Sequence, residues 1–320
     1  MKNCIYFNLQ INKKKSLEYY GYLYYALKTL LRHKKPSSKY DIVVFYTMPN
    51  NLDFKTYLFN NKYNLYLDFP DVTFIESDYY NKYKSSNYNK LHSDWMSKWY
   101  SLEKLYYLNY DNVLMIDLDV IFFKDPIYLF DKYINKNSSL NIITAVDSHD
   151  PVFEYLFKSD CYLSSILLFS FKGIGLPDNF YKKCIKERKS QNKKAKKANL
   201  KSFKFSKKEI KDFKFFNEQY SAQRVFEKHG YHYSVVDIFD IASHRNSSTY
   251  LHLHTNEPEP ENVTFELTHD KNGAAHINNC ESCIIHYSTA LGPAYVPAKF
   301  LPKKIIKYIP AAIEECHVPC

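Results

Sequence analysis

No apolar run in this 320-residue chain approaches the roughly 18 residues that a membrane-spanning helix requires. The amino terminus, Met1 to Leu9, passes straight into strand-like sequence and lacks the apolar h-region and small-residue cleavage site of a secretory signal. The expectation is a soluble, intracellular protein with no transmembrane segment. The 7 cysteines are scattered and odd in number, which argues against a disulfide scaffold. Cys280-x-x-Cys283 and the Cys316/Cys320 pair have spacings that suit structural zinc as a Cys4 or Cys3His site. Neither pair lies in a zinc knuckle, so zinc is the less favoured reading. Sequons at Asn137, Asn246 and Asn262 carry no weight without a secretory signal.

What the chain does have is charge in one place. Its net charge is +10, yet Lys182 to Lys214 holds 15 Lys/Arg against 3 Asp/Glu, which leaves the remainder slightly acidic. A protein that tracks nucleic acid more often spreads basic residues over its folded faces. The core of this stretch, about 186–208, reads as a basic loop inserted into the fold: a solvated surface loop rather than a nucleic-acid or acidic-membrane patch. Deleting Ser190 to Ser206 is then expected to leave the melting temperature nearly unchanged. Hydrophobic residues make up 45% of the chain, enough for one large globular domain.

The first half alternates strand and helix patterns. Cys4 to Leu9 is a short β-rich run, and Leu17 to His33 carries apolar residues at helical spacing. Asp41 to Thr47 is nearly continuous apolar sequence, the mark of a strand covered on both faces. Val72 to Glu76 is another strand, Trp95 to Leu108 a helix with Trp95, Trp99, Leu102, Leu105 and Tyr106 on one side, and Val113 to Ile116 a further buried strand. This alternation implies right-handed crossovers and a mainly parallel sheet flanked by helices, an α/β fold. The second half is less regular: strands at Asn141 to Val146, Ser165 to Phe171, Tyr233 to Asp237 and Cys283 to Tyr287, with a helix over Asn217 to Lys228. No internal repeat and no dividing linker appear, so the division is one domain over 1–300 and a tail over 301–320.

The buried strand Val113-Leu-Met-Ile116 runs directly into Asp117-Leu118-Asp119. In an open α/β sheet ligands bind outside the carboxyl ends of strands. If the chain stays extended, both carboxylates fall on one face and Leu118 points to the core. Two carboxylates there suit a hard divalent cation, Mn²⁺ or Mg²⁺, which can hold a diphosphate. Without a cation the repulsion between them is costly.

Trp99 to Asp131, WYSLEKLYYLNYDNVLMIDLDVIFFKDPIYLFD, resembles the central segment of glycogenin-like family 8 glycosyltransferases, enzymes with the GT-A (Rossmann-like) fold. Cys161 to Phe169 is similar to the family's Asn-Ser-Gly strand, with Ser164 and Ile166 in place of its Asn and Gly. Phe216 to Gln223 is similar to its Asp-Gln helix, with Glu218 for Asp, and Ile284-Ile-His-Tyr-Ser288 to its His-Phe-Ser strand. The family's following Lys-Pro-Trp is missing. The resemblance implies a retaining, metal-dependent transfer of sugar from a nucleotide-sugar donor, a UDP-sugar, to a glycan or protein acceptor. It implies a cation held by Asp117, Asp119 and His286, and donor contacts from Asp117, Leu118, Asp119, Lys98, Ser164, Ser165 and Lys299. Gln219, Glu218 and Asp147 would face the reacting sugar. No nucleic-acid partner is expected. Two rivals stand beside this reading. Haloacid-dehalogenase phosphohydrolases also use Asp-x-Asp after a buried strand, but after the first strand and with Thr or Val where this chain has Ile121. A non-catalytic protein of the same fold, docking sugar nucleotides or acidic partners, is the other.

Overall fold

The computed structural model describes residues 1–10, 16–47, 64–83, 94–118, 120–135, 142–146, 150–159, 161–172, 174–198, 200, 205–235, 241–243, 267–269, 275–277, 280–281 and 283–286. In chain order, β1 (Asn3–Gln10), α1 (Ser16–His33), β2 (Asp41–Thr47), α2 (Leu65–Asp68), β3 (Val72–Ser77) and α3 (Tyr79–Tyr83) come first. A short turn over Asp94–Met96 leads into α4 (Ser97–Tyr106), then β4 (Asn112–Ile116) and β5 (Val120–Phe122). Next are α5 (Ile127–Leu129), widening into a π-helical turn at Phe130–Asn135, then β6 (Ile142–Val146), α6 (Pro151–Phe157) and β7 (Tyr162–Ser170). Two long helices, α7 (Phe180–Lys197) and α8 (Lys207–Lys228), precede the short strands β8 (Tyr233–Val235), β9 (Ile241–Ser243), β10 (Leu267–His269), β11 (Ala275–Ile277), β12 (Cys280–Glu281) and β13 (Ile284–His286).

Seven strands form the main sheet in the order β3-β2-β1-β4-β7-β6-β8. All neighbours run parallel except β7, which is antiparallel to both β4 and β6. The chain builds outward from β1 through β2 to β3, then returns to lay β4 on the other side of β1. That reversal makes the carboxyl ends of β1 and β4 a topological switch point, the position at which open α/β sheets form a ligand-binding crevice. Strand alternation divides the side chains cleanly. Ile5, Phe7, Ile42, Val44, Leu114 and Ile116 pack towards α1 on one face. Cys4, Tyr6, Val43, Phe45, Val113 and Met115 pack towards α4, α7 and α8 on the other. Both faces being covered explains why these strands read as continuous apolar runs.

Most of the basic stretch is helical rather than a loop, with 199 and 201–204 outside the described residues. Residues 186–197 belong to α7, and α8 begins at Lys207 rather than at Asn217. The low-complexity composition hid a helical period: Cys184, Arg188, Gln191 and Ala195 are buried at spacings of four, three and four. Ala195 and Leu200 join Val152, Phe153, Phe213 and Tyr220 in a third apolar cluster beneath α6, α7 and α8. The expectation of a silent deletion over Ser190 to Ser206 is therefore replaced by one of unfolding. The start of α8 is fixed by a capping box in which the Ser206 hydroxyl accepts from the Glu209 amide and the Glu209 carboxylate accepts from the Ser206 amide. Its end is a Schellman turn. Gly230, at φ 87°, donates to Glu227, and Tyr231 donates to Phe226 while their rings meet at 5.1 Å.

Trp95 also departs from expectation: it precedes α4 in the short turn and is exposed, whereas Trp99 is 1% exposed. Cys4, Cys161, Cys184 and Cys283 are buried, while Cys316, Cys320 and the tail over 301–320 lie outside the described residues. No described helix is long and apolar enough to cross a membrane.

Phe213 is fully buried within the third cluster. Phe213→Ala should cost about 3–5 kcal/mol in urea denaturation through lost burial and the cavity left behind. A loss below about 1 kcal/mol would detach the α7–α8 pair from the core described here.

Candidate active site

Asp117 follows the last residue of β4, directly beyond the pairing of Phe7 with Ile116. Continued by one step, that register sets Asn8 of β1 beside Asp117. β1 contributes its own polar end. Successive residues on one strand face, Tyr6, Asn8 and Gln10, all reach the start of α4. The Tyr6 hydroxyl donates to the Lys98 carbonyl at 2.9 Å, and the amides of Asn8 and Gln10 donate to the Ser97 hydroxyl at 2.8 and 2.5 Å. These bonds fix the first turn of α4 over the crevice, and with it Lys98. The Lys98 ammonium stands 3.6 Å from the Asp117 carboxylate, although the Lys98 residue is only 5% exposed.

Leu118 does not continue the strand. The chain bends there, with Leu118 buried in the α1-side core, and resumes as β5 in a different sheet, of order β5-β13-β9. The extended geometry expected beyond Asp117 gives way at Leu118 to a bend where the chain leaves the main sheet. β13 pairs antiparallel with β5, bringing Ile284 opposite Phe122, Ile285 opposite Ile121 and His286 opposite Val120. His286 therefore meets, in backbone register, the residue that follows the Asp-x-Asp sequence. Supporting bonds hold this corner: the Phe123 amide donates to the Cys283 carbonyl at 2.7 Å, and the buried Asp125 accepts from the Lys35 and Ile127 amides at 2.8 and 3.0 Å.

A second group of charges approaches from α8. Glu218 and Gln219 are buried, at 4% and 5% exposure. Burial pushes the Glu218 carboxyl above its ordinary value; Lys98 and Arg188 pull it back and Asp117 pushes it further. Arg188, on α7, is drawn below its usual range by burial and sustained by Glu218. Its Nε donates to Asn217 Oδ1 at 2.6 Å, and Asn217 Nδ2 donates to Asn192 Oδ1 at 2.9 Å. One turn beyond Gln219, the Gln223 side-chain oxygen Oε1 accepts from the Tyr162 backbone amide at 3.1 Å, tying α8 to the start of β7. Ser164 and Ser165 lie on β7 just beyond the residue paired with Ile116, where the β6–β7 register shifts between Thr144 and Val146.

The structure thus brings Asp117, Lys98 and Glu218 into one electrostatic neighbourhood, with Leu118 and Gln219 adjoining. Asp119, Asp147 and Lys299 lie outside the described residues; Ser164, Ser165 and His286 are described by their backbone. Among the described residues no three metal-ligating side chains cluster. Arg188, Asn217, Asn8 and Ser97 escaped sequence reasoning. The period of buried positions along α7 was the available signal for Arg188; Asn8 and Ser97 had none.

Compared by sequence, the chain matches no protein-family model and no curated protein. Solved structures are similar in fold. The bifunctional glycosyltransferase WbbM in its apo form aligns over 98% of this chain with a TM-score of 0.51 at 15% identity; the chain spans 50% of that protein. Mouse xyloside xylosyltransferase 1 aligns over 81% of this chain and 100% of its own, with a TM-score of 0.45 at 11% identity. The galactosyltransferase LgtC, solved with donor and acceptor sugar analogues, aligns over 95% and 99%, with a TM-score of 0.47 at 12% identity. The architecture shared with WbbM is α/β, of GT-A type.

Because folded Glu218 titrates above its ordinary 4.5, the stabilisation tied to its neutral form is complete below that pH and is lost as pH rises. Relative to the parent, Glu218→Gln should therefore gain stability between pH 4 and pH 7. Urea midpoints at the two pH values measure this; a variant that loses ground on going to pH 7 contradicts it.

Proposed function

We propose that this chain is a metal-dependent glycosyltransferase that takes sugar from a nucleotide-sugar donor, a UDP-sugar, and retains the anomeric configuration. The observation that carries the reading is the β5–β13 pairing, which joins the Asp-x-Asp end of β4 to a strand ending in His286. Around it is a fold shared with a bifunctional glycosyltransferase. Two carboxylates and an imidazole are a donor set that fits Mn²⁺, and the carboxylates also fit Mg²⁺. Asp117, Asp119 and His286 would hold that cation, which supplies positive charge against the departing diphosphate.

The remaining work falls to the chain. Lys98 pairs with Asp117, and its ammonium is a cation that could be offered to phosphate oxygens. Its flexible stem lets it act as a point charge rather than a fixed fork. Lys299 is assigned a second phosphate contact, and Leu118, Ser164 and Ser165 the edge of the donor site. Gln219, Glu218 and Asp147 are assigned to the sugar. A neutral Glu218 would donate a hydrogen bond to a sugar hydroxyl, whereas an ionised one would accept. The phosphohydrolase reading is disfavoured because the acidic pair ends the fourth strand, beside β1, rather than the first. A binding protein without turnover differs only in catalysis.

Calorimetric titration with UDP, with and without Mn²⁺, tests the site. Asp119→Asn and His286→Ala should each weaken Mn²⁺-dependent UDP binding by at least about 10-fold, the loss typical of even outer contacts in metal sites. Melting temperatures should stay near the parent's. Unchanged affinity in both variants would remove the proposed cation site, and UDP binding without hydrolysis of any UDP-sugar would leave a binding protein.

A further inference from the structure

We propose that the outward face of α7 is a docking surface for an anionic lipid bilayer, an inference independent of the sugar-transfer reading. Lys182, Lys186, Lys189, Lys193 and Lys196 are all exposed and follow one another at spacings of four, three, four and three. At about 100° per residue these positions fall on one line, roughly 20 Å long at 1.5 Å per residue. The buried residues of the same helix, Cys184, Arg188, Gln191 and Ala195, fall on the opposite side. Packing therefore fixes which face the lysines present.

The line is undiluted. The one acidic residue of α7, Glu187, is turned inward at 8% exposure and bonded to Lys228 at 2.5 Å. Among the described residues, none of the five lysines has a carboxylate within ion-pair distance. Like charges three and four residues apart oppose helix formation, so this face is a burden on the isolated protein. A plane of opposite charge relieves it.

The chemistry of the face favours lipid headgroups over nucleic acid. It is lysine without arginine, and lysine is a hydrated point charge suited to a diffuse anionic layer, whereas arginine forks onto individual phosphates. The one arginine of α7 is buried. The aromatic residues of the helix, Phe180 and Tyr181, are also buried, so it offers no ring for base stacking. A straight helical rod lays its charges on a plane, while single strands are held in grooves. With no exposed apolar residue in the line, attachment is electrostatic, peripheral and reversed by salt.

The test is co-sedimentation of the full chain with vesicles of phosphatidylcholine alone and of phosphatidylcholine with about 30% phosphatidylserine. Binding is expected only to the anionic vesicles at about 0.1 M salt and is lost near 1 M. The variant Lys186→Gln/Lys189→Gln/Lys193→Gln/Lys196→Gln should bind at least about 30-fold more weakly, and Lys189→Gln/Lys193→Gln should fall between. Lys35→Gln/Lys39→Gln, which removes exposed charge elsewhere, should bind as the parent does. Melting temperatures at or above the parent's keep the comparison between folded proteins. Equal binding to neutral vesicles, no binding at all, full binding by the fourfold variant, or tighter binding to duplex DNA or RNA at the same salt would each overturn the proposal.

Discussion

Holding the Lys98 ammonium out of water costs several kcal/mol unless opposite charge meets it, and Asp117 and Glu218 are what meets it here. This single requirement ties together elements distant in sequence. The first turn of α4 must sit where β1 can bind Ser97 and the Lys98 carbonyl, so that the side chain is delivered to the end of β4. Helix α8 must then bring Glu218 close enough to share the charge, and α7 must bring Arg188 to balance Glu218 in turn. The result is an alternating run of charges, Asp117, Lys98, Glu218 and Arg188, threaded between the sheet and two helices. Removing Lys98 or Arg188 would leave the buried Glu218 carboxyl with less opposite charge and push it further up, so the set constrains the crevice more than any one contact. It also sets a buried cation beside the carboxylate that ends β4.

The central parallel strands β1, β2 and β4 were legible because they are covered on both faces. Asp41–Thr47 reads as a strand from its apolar run alone, and its register against β1 follows from both faces being buried. Asp117 was legible for a related reason: a carboxylate ending four buried residues has few places to go. The bend at Leu118 was not, because Leu118 is apolar and buried in either geometry, so the pattern is the same whether the chain stays in the sheet or leaves it. The approach of His286 to this corner rests on strand pairing across most of the chain, which no local pattern encodes; the family resemblance supplied it.

The misreading of 186–197 has a different cause. Composition there is dominated by lysine, and lysine weighs heavily in any judgement of disorder. Yet lysine is also a good helix former, and the buried positions repeat at helical spacing through the run. Averaging over the window erased the distinction between its two sides. Read at period 3.6, the same residues separate into a face that closes the core and a face that carries only charge.

That separation bears on why both faces exist in one helix. Arg188 and Lys189 are adjacent, yet one is turned to the core and the other to solvent. A guanidinium keeps its charge under burial that would neutralise an ammonium more readily, so the residue type matches the side it occupies. The buried arginine serves Glu218 and through it the crevice, while the exposed lysines have no carboxylate partner among the described residues. A solubilising surface would be expected to mix charges of both signs; a single-sign line held rigid by packing behind it is built to meet something. The helix whose inner side carries Arg188 towards Glu218 presents, on its outer side, a line of five exposed lysines in a chain whose remainder is close to neutral.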